Sequence, residues 1–281
     1  MDIARTNTAA RALLANARRT GSRVALVPTM GAFHEGHLSL IRAARRAYDV
    51  VVVSVFVNPI QFGPREDFTL YPRDEPRDLA LAENEKVDIV FAPSAQEMYP
   101  QGYVTRVDPG PLGRKLEGVD RPGHFSGVAT VVVKLLNIVQ PDAAFFGQKD
   151  AQQVAVVRRI TDDLSFDVRI EVCDTIRDRD GLALSSRNAM LPASDRARAV
   201  VLPRALQAGY EALEADGGAD AAEKAMVETV KAVPGVDLRY ARAVDPDTFE
   251  PPDAGRDVLL VIAAQVGGVR LIDNRLWTRC S

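Results

Sequence analysis

Cysteine is nearly absent. Cys173 and Cys280 are the only two in 281 residues and belong to no paired pattern, so there is no disulfide framework, and the chain suits a reducing compartment, the cytoplasm. Neither sign of charge prevails. The 35 basic and 38 acidic residues leave a net charge of −3, which gives no global electrostatic case for a nucleic-acid partner. No apolar run approaches the ~20 residues of a membrane span. No internal repeat or low-complexity tract divides the chain. What remains is 47% hydrophobic and 26% charged, the composition of a soluble globular protein, with enough length for one large domain or two ordinary ones.

Histidine occurs only three times, and two of the three fall in one stretch, Pro28-Thr29-Met30-Gly31-Ala32-Phe33-His34-Glu35-Gly36-His37. The apolar run Val24–Val27 leads in, and Leu38, Ile41, Ala44 and Tyr48 lead out at helical spacing. That is strand, glycine-bearing turn, helix start. The first N–H groups of a helix have no partner within it and carry partial positive charge, so they suit an anion. His34 and His37 add side-chain donors there, and Gly36 removes a side chain where a ligand would approach the backbone. The pattern points to nucleotide phosphates. The pair also suits zinc, which needs two further ligands or one and a water, or an ordinary polar turn.

The rest of the chain supplies more turns of the same kind. Residues 4–20 are rich in Ala and Arg and poor in acids, as transit peptides are. Yet Asp2 is acidic and the stretch runs straight into the first strand, so Thr8–Thr20 reads as the first helix of the fold. A helix at 37–48 and an apolar strand at 50–57 complete a βαβ unit, and ligands of such sheets sit beyond the carboxyl ends of the strands. The loop Asn58-Pro59-Ile60-Gln61-Phe62-Gly63 lies on that edge, with neutral amides able to orient a hydroxyl or carboxylate.

The polar segment Arg65–Arg73 carries two aromatics. A helix near 76–86 and strands at 88–91 and 103–107 follow, then a Gly- and Pro-rich loop over 109–127 with Glu117, Arg121 and His124. Ser126 reads as a cap for a helix with Val128, Val131, Val132, Leu135 and Val139 on its apolar face. Ala143–Phe146 reads as a buried strand running into Gly147-Gln148-Lys149-Asp150, where Lys149 is a point cation at a helix start, and that helix runs to about Asp162. After a strand at 168–173 come Ser185, Ser186 and Arg187, a row of donors for phosphate oxygens or else a helix cap and a surface Arg. From about 190 helices interrupted by Pro203 and Gly217-Gly218, then antiparallel strands at 237–244, 258–266 and 269–273, read as a second, smaller α+β domain. The boundary is set near 176.

Five motifs in order, P-T-M-G-x-x-H-x-G-H, F-V-N-P-x-Q-F, R-P-G-H-F, G-x-K-D-x-Q-Q and L-S-S-R-N, span residues 28–188. Together they closely resemble the pantoate–β-alanine ligases of the H-x-G-H nucleotidyltransferase superfamily. The resemblance implies an α/β fold: a Rossmann-like, doubly wound parallel sheet over 1–176 and an α+β lid over 177–281. It implies a homodimer that uses ATP and Mg²⁺, with no residue assigned to the metal. It places Met30, Gly31, Ala32, Phe33, His34, Glu35, Gly36 and His37 along the ATP site, with His34, His37 and Lys149 as the catalytic groups on the phosphates. Gly147, Gln148, Lys149, Asp150, Ile176 (through its backbone), Leu184, Ser185, Ser186 and Arg187 complete the nucleotide site. Gln61 and Gln153 hold pantoate, and Asn58, Arg121 and His124 join them at the pantoate or β-alanine positions, with Glu117 nearby. Phe33, Gln148 and Ala151 stand where Leu, Glu and Tyr are usual in the family, and Ala151 leaves less packing under the nucleotide.

The activity implied is ligation of pantoate to β-alanine through a pantoyl adenylate. Such chemistry asks for positioning and charge stabilisation, which suits a site of His, Lys, Ser, Arg and backbone N–H groups without a protein nucleophile. An adenylyltransferase of the H-x-G-H class acting on another small substrate would not need Gln61 and Gln153. A class I aminoacyl-tRNA synthetase needs a tRNA surface that a net charge of −3 does not offer. A non-catalytic nucleotide sensor is the reading outside enzymes.

Overall fold

The computed structural model describes residues 1–63, 68–69 and 71–279. Arg65, Glu66, Asp67 and Leu70 of the polar 65–73 segment, and Cys280, lie outside the described residues. The chain divides into two compact units, Met1–Gly147 with Val156–Cys173, and Gln148–Ala155 with Asp174–Ser281.

The first unit is a parallel sheet with helices. Its elements are β1 (Asp2–Ala4), α1 (Asn7–Thr20), β2 (Val24–Thr29), α2 (Glu35–Ala47), β3 (Val50–Val55), α3 (Glu75–Asn84), β4 (Ile89–Phe91), α4 (Ala95–Met98), α5 (Glu117–Asp120), α6 (His124–Val139) and β5 (Ala143–Gly147). Then come α7 (Ala151–Asp163), which crosses from the second unit to the first, and β6 (Arg169–Cys173). The strand order is β1-β4-β3-β2-β5-β6, with every pair parallel. Val24–Val27, Val51–Val53 and Ala143–Phe146 are all buried, as strands covered on both faces must be. From β2 the chain works outward through β3 to β4, then returns to β2's other side at β5. The reversal between β2 and β5 is the topological switch point, where such sheets bind ligands.

The helices follow their caps. Thr6 Oγ1 accepts from Ala9 N–H (3.1 Å) ahead of α1, and Gly21, with φ of 72°, ends it. Three readings from sequence change. The 103–107 segment belongs to no sheet. Val107 N–H donates to Thr130 Oγ1 (3.0 Å) and its carbonyl accepts from Ser126 Oγ (2.9 Å), so hydroxyls of α6 take the place of a ladder. Ser126 therefore caps nothing. The helix starts two residues earlier, at His124, behind Gly123 in the left-handed region. The 109–127 loop is largely ordered into a 3₁₀ turn at Gly110–Arg114 and α5. The short edge strand β1 had no legible pattern, since only Ala4 of its three residues is buried.

The second unit continues with α8 (Ala193–Ala199), α9 (Val201–Glu214), α10 (Gly218–Lys231) and an antiparallel sheet of β7 (Val236–Val244), β8 (Val258–Val266) and β9 (Val269–Trp277). Pro203 sits in the first turn of α9, where its missing N–H costs nothing, so it marks a start and makes no kink. Gly267 and Gly268 take φ of 55° and 79° in the two-residue turn between β8 and β9. Leu202, Leu206, Met226, Leu260 and Ile262 form the centre of this unit's own core.

Candidate active site

The histidine turn follows β2, on one side of the switch point. Gly31 and Ala32 both have positive φ, 81° and 52°, so the backbone folds back on itself there. One carboxylate holds it: Asp78 of α3, only 2% exposed, accepts from Ala32 N–H (2.8 Å) and Phe33 N–H (2.7 Å). A Cβ on Gly31 would lie 2.8 Å from Asp78 Oδ2, so the turn and the acid fit only with glycine at 31. Burial pushes the Asp78 carboxyl above its ordinary range, and the two backbone N–H bonds pull it partly back.

His34 then caps α2. Its Nδ1 accepts from Gly36 N–H (3.1 Å), and His37 Nδ1 lies 3.4 Å from His34 N–H, a reciprocal cap made of two imidazoles. The rings sit 4.2 Å apart between centroids. A neutral imidazole whose Nδ1 accepts must carry its proton on Nε2. Both contacts thus favour the Nε2–H tautomer. A Cβ at Gly36 would stand 2.8 Å from the His34 ring, so this glycine makes room for the cap itself. The zinc reading of the pair needs further ligands, and among the described residues no group of three or more His, Cys, Asp or Glu side chains stands together.

Beside the turn lies a cluster of amides. Asn58 Nδ2 donates to Gln61 Oε1 (2.9 Å) and to Gly127 O (3.1 Å), Tyr99 Oη donates to Asn58 Oδ1 (2.8 Å), and Gln61 Nε2 reaches Met30 Sδ (3.2 Å). His124 Nδ1 is 2.9 Å from the Gln61 carbonyl, which can only accept, so Nδ1 donates and Nε2 faces Arg121 Nη1 at 3.1 Å as acceptor. Met30, Asn58, Gln61, Arg121 and His124, scattered over some ninety positions of sequence, thus form one chain of contacts within the first unit. Glu117 is buried at the start of α5.

The second unit takes up the chain after Gly147 of β5, with the 3₁₀ turn Gln148–Asp150, and Gln153 lies in the first turn of α7. Lys149 Nζ is 3.4 Å from Asp150 Oδ1. The turn is tied to β9: Asn274 Nδ2 donates to the carbonyls of Gln148 and Lys149 (2.9 Å each), and Gln148 Nε2 donates to Asn274 Oδ1 (3.2 Å). Next to it Asp273, 3% exposed, accepts both arms of Arg177 at 2.6 and 2.9 Å. Ile176 and Leu184 face each other across a small loop, with Leu184 N–H donating to Ile176 O (2.9 Å). Ser185 Oγ accepts from Arg187 N–H (3.2 Å) and caps the 3₁₀ turn Ser186–Met190. Sequence reasoning found the turns and missed what holds them, Asp78, Tyr99 and Asn274. An Asp in the first turn of an acid-rich helix reads as a dipole charge, and nothing local marks the other two.

A family model of pantoate–β-alanine ligase matches residues 2–276. The chain belongs to that family. It is 51% identical to a pantothenate synthetase of Moorella thermoacetica, over 98% of each chain. Its fold superimposes on the crystal structure of the Thermus thermophilus pantothenate synthetase with a TM-score of 0.93, at 46% identity over 98% of this chain and 99% of the other. A pantoate–β-alanine ligase from Francisella tularensis, complexed with β-γ ATP and β-alanine, aligns with a TM-score of 0.81 and 35% identity, over 98% and 97%. The parallel sheet and the separate antiparallel sheet are therefore this family's fold.

Proposed function

We propose that this chain ligates pantoate and β-alanine with ATP as the activating substrate. A pantoate carboxylate oxygen attacks the α-phosphorus, pyrophosphate leaves, and pantoyl adenylate forms. The β-alanine nitrogen then attacks the acyl carbon, loses a proton, and AMP leaves with the original carboxylate oxygen. The observation that carries the reading is the reciprocal imidazole cap: two Nε2–H donors held at a helix start on the switch-point edge, in a chain matched almost throughout by a ligase family. His34 and His37, with Lys149, would offset charge that develops on the phosphates. Ser185, Ser186 and Arg187 supply further donors. Gln61 and Gln153 would hold pantoate, with Asn58, Arg121 and His124 around them.

Magnesium on a nucleotide keeps most of its waters and needs only a carboxylate or two beside the phosphates. Asp150, partly exposed beside Lys149, suits that role, and the ion would neutralise phosphate charge. Residues 1–176 would form the ATP and pantoate domain and 177–281 the lid, in a cytoplasmic homodimer. The deciding experiment is ATP turnover: AMP formation should require pantoate and β-alanine together. ADP as product, or turnover without β-alanine, would contradict it.

A further inference from the structure

The amide cluster beside the histidine turn has a direction, and a backbone carbonyl sets it. Gly127 O can only accept. Asn58 therefore faces it with Nδ2, and the same nitrogen donates to Gln61 Oε1. Reversed, Asn58 would put oxygen against oxygen at a position only 1% exposed, a buried mismatch of the costly kind. With Nδ2 committed twice, Asn58 presents Oδ1 to Tyr99, whose hydroxyl has to donate. Burial, and to a lesser degree Tyr103, push the Tyr99 phenol well above its ordinary range, so it keeps its proton at any working pH. Gln61 inherits the direction. Its Oε1 is occupied, and Nε2 is left pointing at Met30 Sδ, a weak acceptor. Glycine at 127 allows the close approach, since a Cβ there would lie 2.4 Å from Ile60 O and 2.5 Å from Gln61 Cα.

We infer that Tyr99 is a positioning residue for the acid substrate: through Asn58 it holds the Gln61 amide with Oε1 committed to Asn58 and Nε2 as the end left to donate, so that Gln61 recognises an oxygen lone pair of pantoate. The inference rests on the ligase reading above and adds a residue that makes no contact with substrate. Steady-state kinetics of the full-length enzyme test it. Tyr99→Phe should raise KM for pantoate about 3- to 10-fold, the range of one neutral hydrogen bond. It should leave kcat and KM for ATP within about twofold, and in a Gln61→Ala background it should add less than about twofold, because the effect passes through Gln61. An unchanged KM for pantoate, or a full additive loss in the Gln61→Ala background, overturns the inference. Should Tyr99→Phe fail to fold, Asn58→Asp, which cannot donate to Gln61 Oε1, should raise KM for pantoate by at least the same factor, and an unchanged KM overturns it equally. A wild-type enzyme that forms no AMP with pantoate overturns the ligase reading itself; an active one with Tyr99→Phe kinetics unaltered overturns the role of Tyr99 alone.

Discussion

Two turns in this molecule carry the donors proposed above for phosphate, and they are held in opposite ways. In the first unit the Gly31–Phe33 backbone gives two N–H donors to a buried carboxylate, Asp78, from 45 and 46 residues away. In the second unit the Gln148–Lys149 backbone offers two carbonyls to an amide, Asn274, from 125 and 126 residues away. One turn commits two backbone donors to an anion of its own. The other has two carbonyls satisfied by the amide of a distant strand, beside the lysine. One turn is held by a charge and the other by a neutral amide. The charged support should therefore fail harder when removed.

Asp78→Ala should give the largest effect. It leaves two N–H groups unpaired beside strained backbone, the one of Phe33 buried and the one of Ala32 part-buried, and the expected loss is about 2–6 kcal/mol of stability in chemical denaturation, at 1–3 kcal/mol per orphaned donor. Activity should fall with both substrates. The pH dependence has a definite sign. A carboxyl raised on folding is held protonated more tightly by the native state than by the unfolded chain. Its contribution is present in full below the ordinary carboxylate pKa and is lost as pH rises through the raised value. Asp78→Ala should remove that fall from the stability profile. An unchanged profile and an unchanged midpoint would show that the turn does not depend on Asp78.

Asn274→Ala should cost less, about 1–3 kcal/mol, because the orphaned carbonyls belong to a turn with part-exposed residues. It should raise KM for ATP and spare KM for pantoate. A loss in pantoate use of equal size would erase the contrast between the two turns.

Much of this architecture is legible in the residues themselves. Val24–Val27 and Val50–Val53 are apolar on both faces, so a parallel sheet follows. His34-x-Gly36-His37 directly after a strand reads as a helix start with donors. The supports are not legible, because their partners are set by topology. Asp78 looks like any acid in a first turn, and Asn274 sits in a strand whose register with the rest of the second unit no local pattern encodes. Tyr103–Val107 reads as a strand and joins no sheet. Its partners are Ser126 and Thr130 of a helix, which period-two reasoning does not look for.

Gln61→Ala should be the narrowest change. It removes a donor from a charged or polar oxygen, expected at about 1.5–3 kcal/mol in kcat/KM for pantoate. ATP binding by calorimetry should hold. Collapse of ATP affinity with pantoate dependence intact would move Gln61 from the acid to the nucleotide.

The most direct measurement follows labelled atoms. With pantoate and no β-alanine, the wild-type enzyme should exchange labelled pyrophosphate into ATP, and in full turnover one pantoate carboxylate oxygen should appear in AMP. His37→Ala and Lys149→Ala should each slow the exchange about 10²–10³-fold, the effect of one preorganised donor. Each should hurt the second half-reaction, from supplied adenylate and β-alanine, much less. No oxygen transfer to AMP would contradict the adenylate route, and equal damage to both half-reactions would contradict the assignment of these donors to phosphate charge.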